Sequence, residues 1–179
     1  MITEFTTLKK EIKEKTGISE RRVLTEGATS DMIFKATEIC LKNSRIKPED
    51  IECIIVATIT ADYLCPSTAS IVQNRIGAVN AWGFDISSAC SGFIYGLQIA
   101  DSLLKSNTCK NVLVCAGDKM RGIVDENDRK TTILFGDGAG VALVENTSKK
   151  NLGILDSICG IDSRALLDVH IRAGGSKYP

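Results

Sequence analysis

Cys90 lies in a stretch of sequence that is suited to nucleophilic chemistry. The run Asp85-Ile86-Ser87-Ser88-Ala89-Cys90-Ser91-Gly92-Phe93 begins in an apolar segment, residues 82–86, that is typical of a strand. After Cys90 the apolar residues recur at steps of three and four, as in a helix; they are Phe93, Ile94, Leu97, Ala100, Leu103 and Leu104. Cys90 is therefore expected to open a helix. Unpaired N–H groups and the helix dipole favour a thiolate there, and the thiolate is the nucleophile.

The structural alternative is that Cys90 is one small buried residue among the seven cysteines of the chain. The residues around it favour an accessible turn instead. Ser87 and Ser88 can cap a helix, and Gly92 allows another backbone or a ligand to approach closely. We therefore interpret Cys90 as a catalytic nucleophile.

Composition limits the classes of protein to which the chain can belong. Its 179 residues, 44% of them hydrophobic, suit one compact domain. The 22 basic and 22 acidic residues cancel, so no overall field attracts nucleic acid or a membrane. No apolar run reaches the length of a membrane span, and the first residues lack a secretory signal pattern. Seven cysteines without a C-x-x-C pair favour a reduced, cytoplasmic protein over a zinc site or a disulfide framework.

Helices and strands alternate along the chain. Apolar periodicity and the Gly and Pro signals predict helices from Phe5 to Gly17, from Ser30 or Asp31 to the turn at 47–50, and from Pro66 to Gly77. Strands are predicted at residues 51–59, 82–86, 112–116 and 141–144, with a last extended segment from Leu152 to Ile161. This order predicts one layered α/β domain with a mainly parallel sheet.

One edge of that sheet gathers the residues that can do chemistry. Thr60 and Asp62 follow the first strand, Cys90 follows the second, and Asp118 follows the third. Ligands of such sheets bind at the carboxyl ends of the strands. We therefore expect these side chains to surround the active site.

Gly136-Asp137-Gly138-Ala139-Gly140 has the glycine spacing of a phosphate-binding loop but a different context. A phosphate-binding loop leads into a helix, whereas Val141-Ala142-Leu143-Val144 is typical of a strand, and no Gly-Lys-Ser/Thr follows. We interpret the glycines as positions of close backbone packing beside the active site.

Other polar residues have both a functional and a structural interpretation. His170, the only histidine, has no sequence feature that brings it to Cys90, so a surface or strand-edge histidine is favoured. Asp128-Arg129 lies in a polar loop, where arginine either grips a phosphate or is solvated. A basic cluster near the start of the chain is interspersed with glutamates, which favours a solvated helix face over a docking site. It comprises Lys9, Lys10, Lys13, Lys15, Arg21 and Arg22.

Several stretches in matching order resemble β-ketoacyl-acyl carrier protein synthase III, a thiolase-fold family. They are residues 85–97, Asp128-Arg129 and Phe135-Gly136-Asp137-Gly138-Ala139-Gly140, together with the early segment Thr16-Gly17-Ile18-Ser19-Glu20-Arg21-Arg22. The likeness extends from about Thr16 to about Val144. It implies a thiolase-like layered α/β domain with a mainly parallel mixed sheet, which is one half, the amino-terminal one, of the usual duplicated fold.

The resemblance implies a decarboxylating Claisen condensation that initiates fatty acid synthesis. Cys90 takes an acyl group from acyl-CoA, and malonyl-acyl carrier protein then loses carbon dioxide to supply the attacking carbanion. Substrate contacts are implied for Arg129, its neighbour Asp128, and Lys15, which matches a family arginine. No metal or cofactor is implied, since acyl-CoA is a substrate, and a homodimer is expected.

The chain also departs from the family. Members are longer and consist of two similar halves, and the histidine and asparagine that stabilise the carbanion belong to the second half. Neither has a counterpart here, because His170 lacks the surrounding pattern. The family tryptophan that stacks on the CoA adenine is matched by Glu11. We therefore expect residues 1–179 to form one nucleophile-bearing domain that accepts an acyl group without completing the condensation alone.

Two alternatives stay open at this point. A non-catalytic thiolase-fold subunit would pair with an active partner, although such subunits typically lack the nucleophile that Cys90 provides. Another thiolase-fold condensing enzyme, of the hydroxymethylglutaryl-CoA or polyketide synthase type, would use the same cysteine on a different acyl group. Acylation of Cys90 separates the first alternative from an enzyme.

Overall fold

The computed structural model describes residues 10–128, 130–149 and 152–179. This part of the chain forms four α-helices and four strands. The helices are α1 at residues 10–16, α2 at Thr29–Ser44, α3 at Thr68–Ile76 and α4 at Gly92–Lys105. The strands are β1 at Cys53–Ala57, β2 at Trp82–Ile86, β3 at Asn111–Lys119 and β4 at Asp137–Glu145.

The helices end where the sequence predicts. Gly17 after α1 and Gly77 after α3 have φ angles of 73° and 75°, in the left-handed region that glycine adopts without a steric penalty. α2 ends at Ser44, before the predicted turn at residues 47–50, and the N–H of the next residue, Arg45, donates to the carbonyl oxygen of Leu41 at 2.9 Å. Turn signals therefore located these three helix ends correctly.

The four strands form one mixed sheet in the order β2-β1-β3-β4. β1 pairs in parallel with both β2 and β3, whereas β4 runs antiparallel to β3. The predicted mainly parallel mixed sheet is therefore confirmed. The crossovers from β1 to β2 and from β2 to β3 contain α3 and α4, as parallel pairing requires.

Helices cover both faces of the sheet, so its central strands are buried. On one face, Ile33 of α2 and Val72 of α3 pack with Ile54, Val56 and Leu113. On the other face α4 packs on the sheet through a second cluster, which contains Cys53, Ile55, Ala100, Leu104, Val112 and Val114. All five residues of β1 are buried, which confirms the strand covered on both faces that its unbroken apolar run predicted.

Some predicted boundaries are wrong. β1 is shorter than residues 51–59, and at its end the Ile59 N–H donates to the Asp118 side chain instead of to a neighbouring strand. β3 is longer than residues 112–116, so Asp118 lies inside a strand and not after one. β4 begins at Asp137 and not at residue 141, because the glycine-rich segment pairs with residues 116–119 of β3.

Other expectations concern faces and the last segment. The prediction that Ile94 lies on the apolar face of α4 is wrong: the residue is 52% exposed, because the buried face of the helix is formed by Gly92, Gly96, Ala100 and Leu104. Residues 152–161 form neither a helix nor a strand and are largely exposed, so the last extended segment is not part of the sheet. No helix among the described residues is long and apolar enough to cross a membrane.

Candidate functional site

Cys90 lies between the end of β2 and the start of α4. Residues Ala89–Ser91 form a 3-10 turn that continues into α4 at Gly92, so the predicted helix start is correct to within two residues. Ala89 has a φ angle of 44°, in the left-handed region, which costs a residue with a Cβ on the order of 1 kcal/mol. The strained turn directs the chain sharply from strand to helix, and the Cys90 side chain at its centre is exposed.

The backbone N–H groups at this helix start are not capped by side chains. Neither Ser88 before the 3-10 turn nor Ser91 before α4 makes a side-chain capping hydrogen bond. The expectation that Ser87 or Ser88 caps the helix is therefore wrong. The N–H groups of Ser91 and Gly92 donate to the carbonyl oxygens of Ser88 and Ala89, so the donors that stay available to a ligand are the N–H groups of Ala89 and Cys90.

The other two helices that begin beside the sheet have carboxylate caps. At α3 the Asp85 carboxylate accepts hydrogen bonds from the N–H groups of Thr68 and Ala69, at 2.6 and 2.7 Å. At α2 the Asp62 carboxylate accepts from the N–H of Ser30 at 2.9 Å and from its hydroxyl at 2.6 Å. α4 thus differs from its neighbours in keeping a positive helix end without an acidic partner. Asp62 acts as a cap, not as an active-site residue.

Two glycines bring α4 close to the sheet. A Cβ at Gly92 would lie 2.9 Å from the Cβ of Ala57, and a Cβ at Gly96 would lie 2.9 Å from Cγ1 of Val114. Both distances are shorter than a side chain tolerates, so only glycine permits this approach. Gly92 therefore places Cys90 directly beyond the carboxyl end of β1.

Cys90 opens into a cleft of about 360 Å³ at the carboxyl ends of β1 and β3. The lining residues are Ala57, Ala89, Cys90, Phe93, Ala116, Gly117, Asp118, Met120, Gly136, Gly138, Ala139 and Gly140. Eight of these twelve residues are glycine or alanine, so much of the cleft wall is formed by backbone. A chain-like ligand can approach such a wall closely. The cleft lies at the carboxyl edge of the sheet, where the active site was predicted; its role as the active site stays a prediction.

Asp118 contributes a carboxylate to this cleft, and one of its oxygens is fully used by the loop after β1. Oδ1 accepts hydrogen bonds from the Thr58 hydroxyl at 2.9 Å, the Ile59 N–H at 2.8 Å and the Thr60 hydroxyl at 3.1 Å. Thr60 in turn accepts from the N–H of Lys119 at 2.8 Å. The network fixes the strand ends beneath Cys90, so Thr60 supports the cleft wall without being among its lining residues.

Two of the three predicted substrate-binding residues, Asp128 and Lys15, lie outside the cleft. Arg129 is outside the described residues. The Asp128 carboxylate accepts from the N–H of Lys130 at 3.0 Å and the hydroxyl of Thr131 at 2.8 Å, and these bonds lower its pKa. Lys15 lies on α1, where its hydrogen bond to the Glu11 carboxylate at 2.7 Å raises its pKa. Neither Asp128 nor Lys15 lines the Cys90 cleft.

His170 is exposed, and its Nδ1 lies 2.8 Å from the carbonyl oxygen of Leu167. It does not line the Cys90 cleft, so the geometry agrees with the surface histidine that was favoured from the sequence. The described residues therefore bring no imidazole to the cleft.

The glycine-rich segment forms the side of the cleft opposite α4. It is strand from Asp137 onward, so the rejection of a phosphate-binding loop agrees with the structure. The predicted close packing is found at Gly136, where an added Cβ would lie 2.9 Å from the carbonyl oxygen of Arg22. Gly138 and Gly140 have no atom within 4 Å of an added Cβ, so they provide open space beside Cys90 instead.

Alkylation of the native protein at about pH 8, below the usual thiol pKa, is expected to distinguish the seven cysteines. Cys65, Cys90 and Cys159 are exposed and should react first. The buried thiols should react only on unfolding, because burial raises the pKa of Cys53 and of Cys115 to about 12 and also raises that of Cys109. Peptide mass spectrometry after brief iodoacetamide treatment measures this. Rapid modification of Cys115 in the native protein would contradict the described packing.

Comparison with known proteins places the chain in a family. The family profile described as 3-Oxoacyl-[acyl-carrier-protein (ACP)] synthase III matches residues 84–163, which include Cys90 and the glycine-rich segment. Beta-ketoacyl-[acyl-carrier-protein] synthase III of Chlorobium luteolum is 46% identical over 171 residues, which cover 94% of this chain and 52% of the relative. The chain thus spans about half the length of the curated relatives that it matches.

Solved structures agree with the sequence match. The crystal structure of 3-oxoacyl-[acyl-carrier-protein] synthase III from Aquifex aeolicus superposes with a TM-score of 0.78 at 44% identity, covering 79% of this chain and 46% of that one. The priming beta-ketosynthase from the R1128 polyketide biosynthetic pathway gives a TM-score of 0.75 at 34% identity, over 78% and 42% of the two chains. The chain therefore has the thiolase-like fold and belongs to the β-ketoacyl-[acyl-carrier-protein] synthase III family.

Proposed function

We propose that Cys90 is the nucleophile of an acyltransferase that forms a carbon–carbon bond by decarboxylating condensation. The observation that carries this proposal is the exposed Cys90 thiol, which lies at an uncapped helix start and opens into a cleft of about 360 Å³. Family membership supports the same chemistry. The substrates that we propose are acyl-CoA and malonyl-acyl carrier protein, and the process is the initiation of fatty acid synthesis.

In the first proposed step the Cys90 thiolate attacks the carbonyl carbon of acyl-CoA. The tetrahedral intermediate carries its negative charge on oxygen, where N–H groups at the helix start stabilise it. Collapse of the intermediate expels the CoA thiolate, which takes up a proton, and leaves an acyl thioester on Cys90. This chain supplies the sulfur and the backbone donors for that step.

In the second proposed step malonyl-acyl carrier protein loses carbon dioxide, and the resulting carbanion attacks the acyl thioester on Cys90. The Cys90 thiolate leaves, so the enzyme is regenerated and a β-ketoacyl carrier protein is released. None of the described residues that line the cleft has an imidazole or amide side chain to stabilise the carbanion. We therefore assign this chain to acyl transfer and not to decarboxylation.

The remaining features of the proposal concern substrate contacts and assembly. We propose that Arg129, Asp128 and Lys15 contact the acyl-CoA substrate, that no cofactor is needed, and that two copies of the protein associate in the cytoplasm. The ion pair between Lys15 and Glu11 is exposed on both side chains, so a phosphate can replace the glutamate at little cost.

Incubation with acetyl-CoA is expected to add the mass of one acetyl group to the peptide that contains Cys90. The exposed thiols Cys65 and Cys159 serve as internal controls, because they are as accessible but do not lie at a helix start beside the cleft. Peptide mass spectrometry detects the adduct. Absence of acetyl mass on Cys90 at saturating acetyl-CoA, or equal acetylation of all three thiols, would refute the proposal.

The likeness to a polyketide priming ketosynthase favours one second candidate, the same chemistry on a different acyl group. A series of acyl-CoA substrates distinguishes the two, since the group that acylates Cys90 at the lowest concentration identifies the primer. A non-catalytic partner subunit is disfavoured by the exposed Cys90 thiol and would give no adduct with any substrate.

A further inference from the structure

Asp137 joins three distant parts of the chain beside the cleft. Its Oδ2 accepts a hydrogen bond from the N–H of Leu24 at 2.8 Å, across 113 residues of sequence. Its Oδ1 accepts from the N–H of Arg121 at 2.8 Å, and its own N–H donates to the carbonyl oxygen of Arg22 at 2.8 Å. Both carboxylate oxygens are thus used by backbone donors, which are strong partners for a charged acceptor.

The segment that Asp137 holds lies directly behind the cleft wall. A Cβ at Gly136 would lie 2.9 Å from the carbonyl oxygen of Arg22 and 3.0 Å from the Cβ of Arg21. Gly136 itself lines the cleft. Arg21 and Arg22 are therefore separated from the cleft by the thickness of one backbone.

The second segment that Asp137 holds is the start of the loop after β3. Met120 lines the cleft, and Arg121 follows it. The Arg121 guanidinium closes the loop on itself, with an ion pair to Glu126 at 2.6 Å and a hydrogen bond to the Thr132 hydroxyl at 3.2 Å. The position of the Arg121 backbone therefore determines where the loop that contains Asp128 lies relative to Cys90.

Residues 21–24 bring positive charge to this wall. The guanidinium of Arg22 forms an exposed ion pair with Glu20 at 3.5 Å. Arg21 is half-buried and has no acidic partner within the described part of the chain. A half-buried guanidinium without a carboxylate suits an anionic ligand, and phosphate is the anion that arginine binds with two parallel hydrogen bonds.

From these contacts we infer that Asp137 is a positioning residue that holds residues 21–24 and the start of the loop after β3 as one wall for a phosphate-bearing acyl donor. This inference rests on the proposed function. Asp137 touches neither the thiol nor the donor; it acts by fixing the backbone that carries Arg21 and Arg121. Its loss should weaken binding of a donor with phosphate groups and leave the thiol chemistry of Cys90 unchanged.

The test compares two acetyl donors in the full chain with Asp137→Asn. An amide replaces one of the two acceptor oxygens by a donor, so one backbone N–H loses its partner. The concentration of acetyl-CoA that half-saturates Cys90 acetylation should rise about tenfold, the effect of one charged hydrogen bond. The limiting rate should not change, nor should acetylation by S-acetyl-N-acetylcysteamine, a small thioester without phosphates.

Asp125→Asn is the matched control, because the Asp125 carboxylate is exposed and bonds only to Asn127 in its own turn. Arg21→Gln is a second variant, since it removes the guanidinium and leaves the hydrogen bonds of Asp137 with the backbone of Arg22 and Leu24 intact; it should give the same selective loss even if Asp137→Asn fails to fold. Equal slowing with both donors, or no change with either, would overturn the inference. Failure of the unmodified chain to react with either donor would instead remove the proposed function and this inference with it.

Discussion

Replacing Cys90 by serine is expected to reduce acetyl transfer from acetyl-CoA to the protein by about 10⁴-fold or more, as loss of a nucleophile does in other acyl-transferring enzymes. A hydroxyl is a far weaker acid than a thiol, so serine needs an adjacent base to become nucleophilic. No histidine lines the cleft, and the only histidine of the chain, His170, is exposed and bonded to the Leu167 carbonyl. Single-turnover incorporation of labelled acetate measures the rate.

Cys159→Ser is the control for this experiment, because Cys159 is exposed like Cys90 but has no place in the cleft. In the Cys159→Ser variant, Cys90 should be acetylated at the same rate as in the unmodified protein. Cys90→Ser should also unfold at the same denaturant concentration, since the Cys90 side chain is exposed and packs little. Undiminished acetylation of Cys90→Ser would show that another residue is the nucleophile and would remove the proposed mechanism.

Much of the fold could be predicted because it depends on local patterns. The unbroken apolar run around β1 predicts burial on both faces, and residues 53–57 are fully buried. Gly77 predicts the end of α3 because only a residue tolerant of positive φ continues the chain there. The predicted strand boundaries were wrong where a side chain takes over a backbone hydrogen bond, as Asp118 does at Ile59, and where glycines pair with the neighbouring strand, as at Gly138.

The candidate site could be predicted in part for the same reason. Cys90 is recognisable because a strand, a turn and a helix meet at it within a few residues of sequence. The contributions of Asp118 and Asp137 are not recognisable in this way, because their partners lie up to 113 residues away. The missing cap of α4 is not recognisable either, since the caps that α2 and α3 receive come from Asp62 and Asp85, which lie 32 and 17 residues away in the sequence. Long-range hydrogen bonds are the part of the site that local sequence patterns do not contain.

Gly83→Ala is expected to lower the free energy of unfolding by about 3 kcal/mol, at the upper end of the usual cost of overpacking. Gly83 lies in β2 opposite Ile54 of β1, and a methyl group there would overlap with the Ile54 carbonyl oxygen. The obstacle is backbone, so no side-chain rotation relieves it, and β2 has to move away from β1. The shift in urea midpoint measures the loss.

Gly83→Ala is also expected to slow acetylation of Cys90. β2 leads directly into the turn that contains the thiol, and Asp85 of β2 caps α3. Gly122→Ala is the matched control: Gly122 has no atom within 4 Å of an added Cβ and no positive φ angle. Its stability should change by less than about 0.5 kcal/mol. If the two variants unfold at the same urea concentration, β2 does not pack against β1 as described, and the strand that leads to Cys90 must lie elsewhere.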